Sequence, residues 1–196
     1  MKFIETICLE NAKIRNLGLH VSRFVGTQEN FFGKAGAFPD LSNIESAYNS
    51  GLFKIRIVYS RQVESIGVAP YEPAKISSLK IVEACAGDYR FKYADRTFID
   101  GLFAKRGLCD DILIVRDGEI LDSSYANVVF SDGRDFFAPK TFLLDGTRRR
   151  ALLASGEIFE RDIRAEDIFS FKSAFLVNAM RGLDSRLAIP VGNIER

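Results

Sequence analysis

Apolar and polar residues alternate over residues 2–11, and this period of two predicts a β-strand at the start of the chain. A turn and then a helical pattern follow over residues 12–33, which predicts an α-helix. The predicted helix carries His20, Arg23 and Phe24. The chain therefore begins with a strand and a helix, as in a mixed domain.

A second, shorter helix is predicted from a capping pattern. Ser42 is followed three residues later by Glu45, which is the capping-box spacing, and Gly51 is a typical C-terminal stop. Three strand-like segments come next, over residues 52–60, 64–73 and 76–84.

The second half of the chain is predicted to be a meander of strands with two short helices. A helical pattern runs from Ala94 to Gly107. Two Asp-Gly pairs, each a strong hairpin signal, lie at residues 117–118 and 132–133. A further helix is predicted between Gly146 and Gly156, and a last buried strand over residues 173–180. Strands on both sides of mixed helices predict an α+β fold rather than a doubly wound sheet.

The composition excludes several classes of function. The chain has 196 residues, of which 47% are hydrophobic and 27% charged, and this suits a soluble globular protein of one large or two small domains. The net charge is +1, so we expect neither nucleic acid nor an anionic membrane as a partner. No apolar run reaches the roughly 20 residues of a membrane span, and residues 1–11 do not have the pattern of a signal peptide.

Cysteine and histidine set further limits. Cys8, Cys85 and Cys109 are odd in number and scattered, which predicts reduced, buried thiols in a cytoplasmic protein. His20 is the single histidine, so a site with two His ligands is excluded and no metal site is predicted. If the protein is an enzyme, we expect its catalytic base to be a residue other than histidine.

Three short segments contain residue types that could carry chemistry, and each also has an ordinary structural explanation. Gly146 and Thr147 begin a predicted helix, where amides and the helix dipole bind anions, although an Asp or Thr cap before an exposed, arginine-rich face explains the same residues. Lys92 is flanked by aromatic residues that could make its amine a nucleophile, yet a lysine extending from a strand into solvent fits as well. Asn178 ends an apolar run, where a buried amide needs partners, and local turn bonding is its alternative.

The segment from Gly118 to Gly133 raises a separate question. Residues 128–130 are apolar and expected to be buried, yet Asp122, Ser124 and Asn127 precede them, and polar groups are costly to bury without partners. These side chains either lie on a wet face or hold a ligand.

Taken in order, six segments resemble the class IV aminotransferases, the fold-type-IV enzymes of pyridoxal 5′-phosphate (PLP) that include branched-chain and D-amino-acid aminotransferases and aminodeoxychorismate lyase. The segments are FIETI, LHVSRF, FKYADR, ILDSSYANVVF, LLDGTRRRALL and FLVNAM, and the resemblance covers nearly the whole chain. It implies a two-domain α+β fold like that of D-amino-acid aminotransferase, with a small N-terminal domain over residues 1–86 and a C-terminal PLP-binding pseudobarrel over residues 87–196.

The resemblance also implies roles for individual residues. Lys92 is implied as the residue that forms the Schiff base with PLP and then serves as general base and acid. Arg23 is implied as a ligand of the phosphate, and Asp122 as the carboxylate that keeps the ring nitrogen protonated. The other implied cofactor-binding residues are Asn127, Gly146, Thr147 and Asn178. Arg96 would lie on the same face as Lys92 if residues 92–96 are helical and could bind a substrate carboxylate, but a surface ion pair explains it equally.

The chain departs from the family pattern at three places. Asp122 stands where the family usually has glutamate, and Val129 stands where it normally has an aromatic residue. The chain also begins almost at the Phe-Glu-Thr segment, without the strand and loop that usually precede it. In relatives, those upstream residues help to build the wall of the substrate site.

The first functional hypothesis is therefore an active PLP enzyme with an amino-acid-like substrate. It would be an aminodeoxychorismate lyase making 4-aminobenzoate for folate, which FLVNAM favours slightly, or an aminotransferase. The alternatives are a protein of the same fold that binds PLP or a partner without catalysis, and an α+β scaffold. By resemblance we expect a homodimer.

Overall fold

The computed structural model describes residues 1–85, 87 and 89–196. It divides into two compact units, one formed by Met1–Pro73 with Phe91–Asp95 and the other by Ala74–Arg90 with Arg96–Arg196. The short segment that contains Lys92 thus belongs to the first unit. The domain boundary inferred between residues 86 and 87 stays a prediction.

The first unit is a four-stranded antiparallel sheet with two helices. Its elements are β1 (Phe3–Glu10), β2 (Lys13–Ile14), α1 (Leu17–Phe32), α2 (Ser42–Ala47), β3 (Leu52–Tyr59) and β4 (Val63–Pro70). The strands are ordered β2-β1-β3-β4, and β1 pairs with β3 along its whole length. The predicted first strand and the helix that carries His20 and Arg23 are therefore confirmed.

An aromatic cluster holds this sheet and α1 together. Phe3 of β1 is fully buried among other rings, and Phe24 of α1 packs against Tyr59 of β3 with ring centroids 4.4 Å apart. Burial of such large side chains is the main favourable contribution to folding in a unit of this size. It fixes the face of α1 that points toward β1, and His20 lies buried on that face.

The capping box predicted for α2 is wrong. Leu41 is the residue before the helix, no side chain caps it, and the helix ends at Ala47 rather than near Gly51. The Glu45 carboxylate instead accepts a hydrogen bond from the backbone N–H of Ile14 at 2.8 Å. Glu45 therefore bonds to a residue 31 positions away in sequence and not, as the local spacing predicts, to the start of its own helix.

The second unit contains a nine-stranded mixed sheet and two short helices. Its elements are β5 (Leu79–Glu83), α3 (Thr97–Phe103), β6 (Asp111–Arg116), β7 (Glu119–Ser123), β8 (Asn127–Ser131), β9 (Phe136–Pro139), α4 (Thr147–Ala154), β10 (Phe159–Arg161), β11 (Ser173–Val177), β12 (Ile189–Pro190) and β13 (Ile194–Glu195). Single 3₁₀ turns lie at Ile168–Ser170, Ser185–Leu187 and Val191–Asn193. The strand predicted to be last, β11, is followed by two further strands of two residues each.

The strand β8 is the centre of this sheet. It pairs with β9 and β11, whereas a single residue pair, Asp122 with Asn127, joins it to β7. Both predicted hairpins are present, and Asp117 and Gly118 adopt the two positive φ angles that a tight β6–β7 turn requires. The polar residues of the 118–133 segment therefore lie where two parts of the sheet meet.

Two expectations from composition can be compared with the structure. Cys8, Cys85 and Cys109 form no disulfide. Cys8 and Cys109 are buried, but Cys85 is exposed because it lies just beyond the end of β5. The prediction of three buried thiols is wrong for that residue. Within the described residues, no helix is both long and apolar enough to cross a membrane.

Candidate functional site

A fully buried carboxylate occupies the middle of β1. Glu5 has no exposed surface, and both of its oxygens accept hydrogen bonds from side chains of α1. Oε1 accepts from Arg23 Nε at 2.9 Å, and Oε2 accepts from Arg23 Nη2 at 2.6 Å. Oε2 also lies 2.6 Å from His20 Nδ1. Two parallel bonds thus hold the Arg23 guanidinium, and this fork geometry gives strong, directional pairs.

The charges of this cluster determine its protonation. Burial alone would raise the pKa of Glu5, but the charges and hydrogen bonds of Arg23 and His20 outweigh it and hold the pKa below its ordinary value. Burial lowers the pKa of His20, and the nearby charges of Arg23 and Lys92 add to this effect against the opposing influence of Glu5. At neutral pH the cluster therefore contains an ionised Glu5, a charged Arg23 and a neutral His20 whose Nδ1–H donates to the carboxylate.

The backbone of Lys92 is attached to the same strand. Its carbonyl oxygen accepts a hydrogen bond from the Ile4 N–H at 2.9 Å, and Phe3 and Tyr93 form an isolated antiparallel bridge. The Lys92 side chain is half-buried. Residue 4 of β1 therefore fixes the position of Lys92 through the main chain, while residue 5 fixes Arg23 through its side chain. The two residues predicted from separate segments are held by one strand.

The aromatic residues near Lys92 belong to two different clusters. Phe91 packs against Phe31 with centroids 4.8 Å apart, and Tyr93 packs against Phe3 at 5.4 Å, so both rings face the cluster of the first unit. Tyr89 belongs to a cluster of the second unit instead. Residues 89–93 form no regular strand, so the prediction that Lys92 extends from one is wrong.

In the second unit, the polar residues of the 118–133 segment bind one another and the chain. Asp122 Oδ1 accepts from Asn127 Nδ2 at 2.7 Å, and Asp122 Oδ2 accepts from the backbone N–H groups of Leu143 and Leu144 at 3.1 and 2.9 Å. Asn127 Nδ2 also donates to the Leu144 carbonyl at 2.9 Å. Ser124 is also buried. The prediction of a wet face is wrong, because all these groups are enclosed and Asp122 and Asn127 have protein partners.

The environment of Asp122 perturbs its titration. Burial raises the pKa of Asp122 to about 6, although the hydrogen bonds from Leu144, Asn127 and Leu143 oppose the rise. Its carboxylate is therefore mostly ionised at neutral pH but close to its midpoint. A carboxylate whose pKa is shifted toward neutrality by a specific environment is typical of functional sites, and also of structural networks.

The network leads directly to the N-terminus of α4. Gly146 is the residue before the helix, and a Cβ atom at this position would lie 2.0 Å from Asn127 Oδ1, so only glycine allows this close approach. No side chain caps the helix, and its first turn contains no acidic residue. The explanation by an Asp or Thr cap is therefore wrong. Thr147 is buried at the first helical position, where the uncapped N-terminus attracts anions.

A buried arginine supports this turn from within. Arg149 donates through Nη2 to the Pro139 carbonyl at 2.9 Å and to Glu160 Oε1 at 2.6 Å, and its guanidinium stacks over the Phe142 ring. Only 3% of Arg149 is exposed, so the arginine-rich face of α4 is not wholly in solvent. The side chain links α4 to β9 and β10 and so stabilises the loop that precedes the helix.

Asn178 takes part in a local turn, as its alternative explanation proposed. Its side-chain oxygen accepts from the Met180 N–H at 2.9 Å, and its backbone pairs with that of Arg181. Its Nδ2 donates a long hydrogen bond of 3.4 Å to the Tyr125 carbonyl. Asn178 therefore lies close to the loop between β7 and β8, and its role toward a cofactor stays a prediction.

The helical spacing on which the role of Arg96 rested is absent. Arg96 is the residue before α3, whereas Lys92 lies outside any helix. Arg96 donates to the Ser124 carbonyl at 3.0 Å and lies 3.3 Å from Asp100, so the ion pair that was its alternative explanation is present. A substrate-binding role for Arg96 stays a prediction.

Three buried polar residues of these networks were not predicted from the sequence. Glu5 was noted only within the Phe-Glu-Thr segment, and a single acid inside an apolar, alternating strand is the signal that could have identified it. His20 was assigned no chemistry, and Arg149 was not singled out. Their hydrogen-bond partners lie 10 to 18 residues away in sequence, so no local pattern connects them.

The chain is similar in sequence to one known family and to a known protein. A model of the amino-transferase class IV family matches residues 90–185. A protein of Haemophilus influenzae, described as uncharacterized, is 36% identical over 183 residues, which are 91% of this chain and 97% of that protein. The alignment therefore covers nearly the whole length of this relative.

Solved structures show the same fold. A Haemophilus somnus protein, provisionally described as a 4-amino-4-deoxychorismate lyase, is 31% identical and superposes with a TM-score of 0.85 over 93% of this chain and 97% of its own. The PLP-bound form of a hypothetical aminotransferase from Mycobacterium tuberculosis is 19% identical, with a TM-score of 0.74 over 98% of this chain and 81% of its own, and supports the fold alone. The predicted α+β architecture of fold type IV is confirmed. The chain belongs to the class IV aminotransferase family.

Proposed function

We propose that the protein is a PLP-dependent enzyme that acts on an amino-acid-like substrate. The observation that carries this proposal is the buried network of the second unit, in which an ionisable carboxylate is bonded to the loop that leads into an uncapped helix N-terminus. Membership of the family and the provisional description of the Haemophilus somnus relative support the same conclusion.

The residues present fit PLP. Its phosphate carries negative charge, and each unit contains a feature with positive potential. These are the Arg23 guanidinium in the first unit and the uncapped start of α4 at Gly146 and Thr147 in the second. The close contact between Gly146 and Asn127 permits no Cβ, so Asn127 packs directly against the turn that would bind the phosphate. An ionised Asp122 is the chemical partner for a protonated ring nitrogen.

Each residue would then have a distinct task. Bound PLP supplies an electron-withdrawing ring that stabilises negative charge at the substrate α-carbon. Lys92 would hold the cofactor through its amine and, when released, move protons to and from that carbon. Arg23 would orient the phosphate, and Asp122 would keep a proton on the ring nitrogen. Asn127 would keep Asp122 in place, while Asn178 and Arg96 would border the site and the substrate.

We favour a lyase-like reaction slightly over amino transfer. FLVNAM resembles the lyase branch more than the transaminases, and the Haemophilus somnus relative carries a lyase description. The two reactions differ in their need for a second substrate, because a transaminase requires a keto acid acceptor whereas the lyase releases pyruvate without one. A role in folate biosynthesis, a homodimer and a cytoplasmic location belong to this proposal.

The first test is the visible absorption spectrum of the purified protein after it has been loaded with PLP and desalted. We expect the wild type and a control Lys105→Ala variant to retain an absorption band that Lys92→Ala loses. Borohydride reduction followed by peptide mapping should then find the cofactor fixed on Lys92. A colourless wild type, or cofactor fixed on another lysine, would overturn the proposal.

Assays of the loaded wild type come next. Pyruvate release from aminodeoxychorismate without an acceptor would identify a lyase, and dependence on a keto acid would identify a transaminase. Retained PLP with neither reaction would support a cofactor-binding protein without catalysis. That second reading has one specific observation in its favour, namely that Asp122 already has three hydrogen-bond partners within the chain.

A further inference from the structure

Glu5 occupies a position in which a carboxylate is unusual. It is fully buried at the centre of β1, and taking a charge out of water is so unfavourable that a buried ion pair contributes little stability beyond what apolar residues of similar volume would provide. The fold therefore does not require an acid at residue 5. We propose that Glu5 is a positioning residue that orients Arg23 for an anionic ligand, an inference that rests on the proposed function of Arg23.

The hydrogen bonds to Glu5 define the direction of the guanidinium. They engage Nε and Nη2, which form one edge of a rigid, planar group. Because the group is planar, fixing this edge also fixes the direction in which the Nη1 edge points. An arginine side chain otherwise has several rotatable bonds, and its ordering would have to accompany the binding of the ligand. Glu5 completes that ordering during folding.

His20 strengthens the restraint on Glu5. Its neutral Nδ1–H donates to Oε2, so the carboxylate is held by two residues on one face of α1, residue 20 and residue 23. The adjacent residue of the strand, Ile4, binds the Lys92 carbonyl. A change in the position of β1 would therefore shift the proposed phosphate ligand and the proposed cofactor lysine together. Two neighbouring residues of one strand thus set the geometry of both.

Positioning and charge predict opposite effects when Glu5 is neutralised. Loss of a negative charge beside an anion site strengthens phosphate binding on electrostatic grounds alone. Loss of orientation weakens it. We expect Glu5→Gln to bind PLP roughly 3- to 10-fold more weakly than the wild type, the factor that corresponds to ordering one long side chain. Its affinity for pyridoxal, which lacks the phosphate, should be unchanged.

Two further variants separate the causes. Glu5→Asp keeps the charge but retracts the carboxylate by about 1.5 Å, so it should lose PLP affinity as Glu5→Gln does if position is decisive. Glu10→Gln is the matched control, because Glu10 lies on the same strand and pairs with Arg15 at 3.0 Å, but both side chains are exposed. We expect this control to bind PLP and pyridoxal as the wild type does.

Dependence on Arg23 is tested by a double-mutant cycle. In an Arg23→Met background, Glu5→Gln should cause no additional loss of PLP affinity, because the group that Glu5 orients is gone. An additive loss, an equal loss for pyridoxal, an unchanged affinity or a stronger one would each overturn the positioning role. If Arg23→Met itself leaves PLP affinity unchanged, the proposed phosphate ligand fails, and this result is distinct from a failure of Glu5 alone.

A measurement on the wild type makes the test independent of variant folding. In the cofactor-free protein, the Nε–H of Arg23 should give a resolved NMR signal with slow exchange, identified by its disappearance in Arg23→Lys. Exchange as fast as that of exposed arginines such as Arg15 would contradict a preset orientation and overturn the proposal, whatever the variants show.

Discussion

The raised pKa of Asp122 predicts how stability should depend on pH. Burial raises this pKa from the ordinary value of 3.8 to about 6, so the folded protein binds the proton more tightly than the unfolded chain does. The contribution of the Asp122 proton to the free energy of unfolding is therefore fully present below pH 3.8 and is lost as the pH rises through 6. The loss corresponds to about 3 kcal/mol of the free energy of unfolding.

The variant Asp122→Asn isolates this contribution because it resembles the protonated form at every pH. We expect the free energy of unfolding of the variant minus that of the wild type to increase by about 2 kcal/mol between pH 4 and pH 7. Urea unfolding followed by far-UV circular dichroism measures this difference, since the chain contains no tryptophan for fluorescence. The constant effect of the substitution on packing cancels when values at different pH are compared.

A matched aspartate provides the opposite control. Asp132 is only half-buried, and backbone hydrogen bonds from Asp135 and Arg134 lower its pKa, so the difference for Asp132→Asn should decrease as the pH rises. A flat or decreasing difference for Asp122→Asn would refute the reasoning. The same series with saturating PLP tests the proposed contact with the ring nitrogen. A cation beside Asp122 lowers its pKa, and the pH dependence should then become weaker.

Two other substitutions test the loop that leads into α4. Gly146→Ala places a Cβ 2.0 Å from Asn127 Oδ1, so it should lower the free energy of unfolding by about 1–3 kcal/mol and weaken PLP retention. The control is Gly101→Ala in α3, where a Cβ meets nothing within 4 Å, and it should stabilise the protein by about 0.5–1 kcal/mol. Equal shifts of the thermal midpoint for the two variants would contradict this reasoning. Arg149→Ala leaves the buried Pro139 carbonyl without its donor and should destabilise by about 2–3 kcal/mol in urea unfolding, and an unchanged midpoint would show that this bond contributes nothing.

The sequence predicted those elements whose signals are local. The β6–β7 hairpin follows from Asp117 and Gly118 alone, because two consecutive positive φ angles are what this dipeptide tolerates. The capping box of α2 failed for the opposite reason. The Glu45 carboxylate could accept a hydrogen bond at the start of its own helix or from the Ile14 N–H. Ile14 comes within reach only when the sheet has folded.

The same distinction between local signals and tertiary contacts applies to the candidate site. Gly146 at the start of α4 was found from turn chemistry, and the local bonding of Asn178 was correctly given as an alternative. The spacing argument for Arg96 required a helix that the segment after Lys92 does not form. The role of Glu5 could not be predicted from spacing, because its partners are brought to it by packing of α1 on the sheet.

The polar residues of the 118–133 segment form hydrogen bonds within the chain, so their presence alone is not evidence of a bound cofactor. Asp122 accepts three hydrogen bonds from Asn127, Leu143 and Leu144, and a carboxylate has about four acceptor sites, so one remains for a ligand such as a protonated ring nitrogen. A protein without catalysis would need the same network to build the same loop. Lys92 is held to β1 through its main-chain carbonyl, which accepts from the Ile4 N–H and keeps this bond when the side chain is changed. Lys92→Ala therefore tests the amine more directly than a substitution at Asp122 tests the contact with the ring.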